Sequence, residues 1–132
     1  MNIMIQEHKD ILLKDLCARL PYYVKAEYHT TEGTEIGIID GVYRHDLTVV
    51  INDNEICIFD IKPYLFPMSS MTEEQKIIYG ELCYTVIHSL AWDKQALNEL
   101  VDWLDKNKFD HRGLIDKGLA IDATNKDIYF NI

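Results

Sequence analysis

The chain has 132 residues, enough for one domain and too few for two of ordinary size. Hydrophobic residues make up 48% of it, so a core can form without disulfide or metal staples. Its 22 acidic residues outnumber 13 basic ones, for a formal charge of −9, and no run of Lys or Arg occurs, so no nucleic-acid partner is expected.

The cysteines, Cys17, Cys57 and Cys83, are odd in number, widely spaced and never in a Cys-x-x-Cys pair. They are expected to be buried, reduced thiols rather than a disulfide framework or a zinc site. The opening residues lack the basic patch and long apolar stretch of a signal peptide, and no apolar run reaches the length of a membrane span. The expected location is the cytoplasm, with no membrane contact.

Along residues 7–20, Leu12, Leu13, Leu16, Cys17 and Leu20 form one face of a helix that Pro21 ends. Glu7, Lys9, Asp10, Lys14 and Asp15 are then expected to face water. Four strands follow, over about Tyr22–His29, Glu35–Tyr43, Leu47–Asn52 and Glu55–Ile61. Asp53-Asn54 is read as the tight turn between the last two, since both residues tolerate positive φ. The fourth strand is apolar on both faces at Ile56-Cys57-Ile58-Phe59, which predicts a covered position in the sheet. Gly37 and Gly41 within the second strand point to a bulge or close packing.

Lys62–Met71, with two prolines, reads as a loop. Thr72 and Gln75 then have the spacing of a capping box, opening a helix to about Leu90 with Ile78, Leu82, Val86 and Leu90 as its stripe. Asp93 is placed to cap a third helix, about Lys94–Asn107, with Leu97, Leu100, Val101 and Leu104 inward. Trp103, beside that face, is expected to pack. In the tail, Leu114–Lys117 reads as a helical turn closed by Gly118, and Asp127–Asn131 as a last strand. Together these predict a single α+β domain over residues 1–132: an antiparallel sheet of about four strands, an N-terminal helix, and two longer helices packed mainly on one face.

Lys62-Pro63-Tyr64-Leu65-Phe66-Pro67-Met68-Ser69-Ser70-Met71-Thr72, followed by Glu73-Glu74, resembles a signature of a family of small proteins encoded by anaerobic gut bacteria, often in phage-like or mobile regions. The stretches Leu13–Tyr22 and Phe109–Ala120 fit the same resemblance, which therefore covers most of the chain. It implies a phage or mobile-element origin and brings no assigned activity.

Two functional readings compete. Asp60-Ile61-Lys62, preceded by Asp40 or Asp46, has the residue types of a metal-dependent PD-(D/E)xK nuclease, in which carboxylates hold magnesium and a lysine positions the attacking water. Register counts against it. With an Asp53-Asn54 turn, Leu47 pairs with Asp60, so Asp46 opposes Ile61 on the wrong face, and a strand separates Asp40 from Asp60. Without that site there is no metal and no cofactor to expect. The histidines have no helical metal spacing; His45-Asp46 and Asp110-His111-Arg112 read as exposed turns.

The leading reading is a non-enzymatic, protein-binding accessory module. Tyr64, Leu65, Phe66, Met68 and Met71 make the 62–71 loop apolar, and such loops either cover a core or present a binding surface. The expected partner is another protein or a second copy of this chain.

Overall fold

The computed structural model describes residues 5–89 and 94–129. Helix α1 (Gln6–Arg19) leads through a 3-10 turn at Leu20–Tyr22 into strands β1 (Lys25–Thr30), β2 (Gly33–Tyr43), β3 (Thr48–Ile51) and β4 (Asn54–Cys57). A second 3-10 turn, Ile58–Asp60, precedes β5 (Ile61–Leu65), and a third, Met68–Ser70, precedes helix α2 (Glu73–His88). Helix α3 (Lys94–Lys106) and the short β6 (Ile121–Asp122) follow. The α+β class is as expected. The sheet is larger: six strands in the order β4-β3-β2-β1-β5-β6, antiparallel except for the β5–β6 pair.

Three differences from the sequence reading have clear causes. The tight turn is Asn52-Asp53, both at positive φ, one residue earlier than expected. Ile51 therefore pairs with Asn54 and Thr48 with Cys57, and the ladder ends there. As a result β4 is short, and it forms an edge of the sheet rather than a covered strand. Next, residues 61–65 form a strand, not a loop. Pro63 pairs with Ala26 of β1, and β6 covers β5 only at Tyr64 and Leu65, so the missing N–H falls on a largely open edge. Finally, the expected strand at 127–131 is a turn in its described part, and the strand of that region is β6.

The sheet must curl. Four residue steps from Cys57 to Ile61 span at most about 14 Å. In a flat sheet the four spacings from β4 to β5 would need about 19 Å. A bulge in β2 between Ile39 and Gly41 supplies the bend: residues up to Ile38 pair with β1, and residues from Ile39 onward pair with β3. The result is a curled sheet that forms a small, partly closed barrel.

Leu12 and Leu16 of α1 close this barrel over Val24, Ala26, Tyr28, Ile39, Val49, Ile51, Ile58, Ile61 and Leu65, with Leu114 and Leu119 returning from the tail. The turn at 114–118 closes on Gly118 at positive φ, as the sequence suggested. A second cluster joins the α2–α3 pair to the 66–71 segment: Met71, Leu104 and Phe109 are buried, with Phe66, Met68, Tyr79, Leu100 and Trp103 around them. The two long helices thus pack on that segment and on each other instead of lying across the sheet. The Thr72–Gln75 capping box starts α2, with Thr72 Oγ1 accepting from the Gln75 N–H and Gln75 Oε1 accepting from the Thr72 N–H. The expected Asp93 cap lies outside the described residues.

Gly37 is required by close approach. A Cβ there would stand 2.6 Å from Ile51 Cγ2 and 2.6 Å from Asn52 Nδ2. That amide also donates to Tyr28 Oη at 2.9 Å, and Tyr28 donates to Glu35 at 2.8 Å. Gly37→Ala is expected to destabilise the chain by about 1–3 kcal/mol through overpacking, read as a lower urea midpoint with an unchanged slope.

Candidate functional site

Sequence reasoning put forward two residue sets, and the structure assembles neither as expected. Lys62 pairs across to Glu27, which pairs with Ile36, whereas Asp40 lies four residues further along β2. That is about 13 Å along the strands and about 10 Å across them. Asp60 is exposed in its 3-10 turn and Asp46 in the turn before β3, with Ile58 N–H bonded to the Leu47 carbonyl between the two loops. Among the described residues no three His, Cys, Asp or Glu side chains are grouped to hold a metal ion. Asp40, Asp46, Asp60 and Lys62 are therefore not brought into one site.

The second set was the apolar 62–71 segment. Tyr64, Leu65 and Met71 are buried, and Phe66 and Met68 are half-buried against the helix pair. Phe66 meets Phe109 edge-on at 6.5 Å, and its N–H and carbonyl bond to the Lys108 carbonyl and the Asp110 N–H. The segment is therefore interior packing, not an exposed docking loop. The physical reason is that β5 extends through Leu65, so alternate apolar residues meet the barrel and the remainder meet the helices. The cysteines are free and partly, not fully, buried.

The polar centre of the molecule lies elsewhere. Asp15 and Arg19, one helical turn apart on α1, are fully buried, although the pattern had placed Asp15 in water. Arg19 Nε donates to Asp15 Oδ2 at 2.9 Å, and Nη2 donates to the Phe109 carbonyl at 2.6 Å. Arg112 Nη1 donates to Asp15 Oδ1 at 2.7 Å and to Asp105 Oδ1 at 2.9 Å. Its Nη2 reaches Asp105 Oδ2 at 3.3 Å. His111 Nε2 lies 2.8 Å from Asp105 Oδ1, a contact in which the ring nitrogen donates to the ionised carboxylate. Asp110 accepts from the Leu114 and Ile115 N–H groups with its two oxygens, which fixes the loop carrying His111 and Arg112. The Asp110-His111-Arg112 stretch is thus a half-buried turn with inward bonds, not an exposed one.

Burial works against the Asp105 charge, but the hydrogen bonds from His111 and Arg112 and the charges of Arg19 and Arg112 outweigh it, holding the carboxyl below its usual range. On Arg112 burial likewise opposes the charge, and the bonds to Asp105 and Asp15 hold the proton more firmly than usual. Two carboxylates meet two guanidinium groups, so the cluster is neutral in sum. Both carboxylates are taken up by guanidinium groups, and the four residues join α1, α3 and the 109–112 loop. Their arrangement is that of an interior lock.

Among the described residues several exposed apolar side chains lie on the outer side of α2. Tyr79, Leu82, Cys83 and Val86 turn inward, with Tyr79 stacked on Trp103 at 6.4 Å. On the other side Ile77, Tyr84 and Ile87 are 63%, 64% and 75% exposed. With Gly80 they occupy about 80° of the helix surface, at the three-four-three spacing of a helix-pairing seam. The pattern of expected inward residues named Ile78, which is also exposed at 41%, and missed this seam. Its signal was present: α2 is apolar on two sides, and a helix apolar all round needs cover on both.

Removing one member of the lock strands a buried charge. Asp15→Ala is expected to cost about 3–5 kcal/mol, whereas Lys76→Ala, which breaks the exposed pair with Glu73, is expected to cost less than about 1 kcal/mol in the same denaturation experiment. Acid should act on the same element. The folded Asp105 pKa is depressed, so its contribution is complete above the unfolded value of about 3.9 and is lost as pH falls through the folded value. Thermal unfolding followed from pH 6 downward is expected to show a steep fall in Tm beginning near pH 4, shallower in Asp105→Asn.

Comparison with protein-family models, with curated proteins and with solved structures finds no match for this chain, so its function is argued from these two elements, the interior lock and the exposed seam of α2.

Proposed function

We propose that the protein is a non-enzymatic, protein-binding accessory module that docks through the outer face of α2. The observation that carries the reading is the exposure of Ile77, Tyr84 and Ile87 on one stripe of a helix whose opposite side is already packed. Large apolar side chains scattered singly are ordinary on a surface; three in one helical row make a continuous strip that water solvates poorly. Their hydrophobic surface is a source of binding energy, and the helix that bears them is held at its start by a complete capping box.

The 62–71 segment, first read as the docking element, supports the seam from beneath in this reading. Phe66, Met68 and Met71 fix the helix pair, and the helix pair presents the surface. The acidic balance suits a protein partner better than a nucleic acid. The resemblance of residues 62–74 and 109–120 to small proteins of phage-like and mobile regions supports an accessory role in such a setting.

The test uses two variants of the exposed stripe, Ile77→Glu and Ile87→Lys, with a photo-cross-linking residue in place of Tyr84. Both variants are expected to keep the wild-type Tm to within a few degrees, since substitutions of exposed residues are usually within about 0.5 kcal/mol. Cross-linking through position 84 is expected in the parent and is expected to fall at least tenfold in each variant. Equal cross-linking in parent and folded variants would remove the seam as the docking surface.

A further inference from the structure

We propose that a cavity at the start of α2 binds a neutral, planar heterocycle of one-ring size that carries an amide group, the chemistry shared by nicotinamide and a pyrimidine base. The cavity lies where the 66–72 segment, the first turn of α2 and the residues after α3 meet. Its volume is about 230 Å³, and Phe66, Ser70, Thr72, Gln75, Asn107 and Phe109 line it. None of Ile77, Tyr84 and Ile87 is among them, so the inference stands apart from the docking face of α2.

Hydrogen bonds already made within the wall fix what its polar groups have left to give. Gln75 Oε1 accepts from the Thr72 N–H at 2.9 Å, which orients the amide and leaves Nε2 without a hydrogen-bond partner among the described residues. Asn107 Nδ2 donates to the Trp103 carbonyl at 2.9 Å, so Oδ1 is the unused end of that amide. Ser70 Oγ donates to the Pro67 carbonyl at 2.7 Å and keeps lone pairs to accept with. Thr72 Oγ1 accepts from the Gln75 N–H at 3.1 Å and keeps its own proton to give. The wall therefore has donors at Gln75 and Thr72 and acceptors at Asn107 and Ser70. A ligand that answers both needs an acceptor and a donor side by side, as an amide or lactam edge has.

Size and charge narrow the class further. A cavity of about 150 Å³ holds a benzene ring, and sites for drug-sized ligands begin at about 300 Å³, so about 230 Å³ suits one ring with a small substituent. Phe66 and Phe109 stand at 61° with their centroids 6.5 Å apart. They form a corner in which a flat ring stacked on one meets the other edge-on, the two arrangements aromatic pairs prefer. None of the six lining side chains is charged, so no ion pair would offset the dehydration of a charged ligand. The wall is also held from behind. Phe109 is buried, its carbonyl accepts from Arg19 Nη2 at 2.6 Å, and the capping box fixes Thr72 and Gln75 against each other.

Two-dimensional proton–nitrogen NMR of the full chain tests this, with nicotinamide, uracil and nicotinate as probes at up to about 10 mM. The expected result is saturable shifts of the Gln75 and Asn107 side-chain amide signals, with a Kd of about 1 mM for the better of the two amides. Nicotinate, which replaces the carboxamide by a charged carboxylate on the same ring, should bind at least about fivefold more weakly. The ranking of nicotinamide against uracil tells a carboxamide substituent from a lactam edge. Gln75→Glu keeps an oxygen for the Thr72 N–H and removes the Nε2 donor, so Tm should hold while amide binding falls about tenfold. The absence of saturable shifts with both amides overturns the proposal. So does equal binding of nicotinate, and so does amide binding that is unchanged in Gln75→Glu.

Discussion

The buried group of Asp15, Arg19, Asp105 and Arg112 is the constraint on which the rest of the architecture depends. Among the described residues two apolar clusters form, one inside the curled sheet and one between the long helices. The polar group connects them, because Asp15 and Arg19 belong to the helix that closes the barrel, and Asp105 belongs to the helix pair. Its net contribution to stability need not exceed that of apolar packing of the same volume, since each ion loses its hydration. Its contribution to placement is greater. A helix pair docked elsewhere would leave charges unpaired in the interior, at several kcal/mol each. The guanidinium of Arg112 meets both carboxylates from a loop that Asp110 holds by two backbone bonds.

Much of the fold was legible in local signals. The N-terminal helix, the four predicted strands (the last cut short), the capping box at Thr72 and the packing of Trp103 follow from periodicity and side-chain chemistry, which act over a few residues. What the sequence hid depends on distant partners. Asp15 and Arg19 sit one turn apart, the spacing of an ordinary exposed ion pair; only Arg112 and Asp105, some 90 residues later, make them interior. His111 and Arg112 looked like turn residues for the same reason. The single-residue slip of the β3–β4 turn shows the limit differently: Asn52, Asp53 and Asn54 all suit positive φ, so local chemistry does not choose between two registers. That choice then decided where β4 ended, and with it the reading of residues 58–65.

The apolar prolyl segment and the apolar helix exchanged roles between sequence and structure. Two prolines suggested an exposed irregular loop, yet Pro63 is tolerated at a half-covered strand and the segment became interior packing. Conversely, α2 has a hydrophobic composition that would ordinarily mean burial, yet it keeps one full stripe in water among the described residues. Composition reports how much apolar surface a segment carries. Which part of that surface meets solvent is set by the neighbours, and here α3 covers only one side of α2.

The placement of β1 in the middle of the sheet has a consequence for synthesis. Its partners are β2, which follows directly, and β5, which in turn takes β6 near residue 121. The barrel is therefore drawn from the first 65 residues, but its last edge and the polar partners of α1 arrive only with residues 105–122. At about 5–20 residues per second the ribosome needs several seconds to deliver that final stretch. Until it arrives, β5 lacks β6 and Arg19 lacks its distant carboxylate. Commitment to the complete fold thus waits for residues 105–122, and a stop anywhere before residue 105 would release a chain whose first helix lacks Asp105 and Arg112.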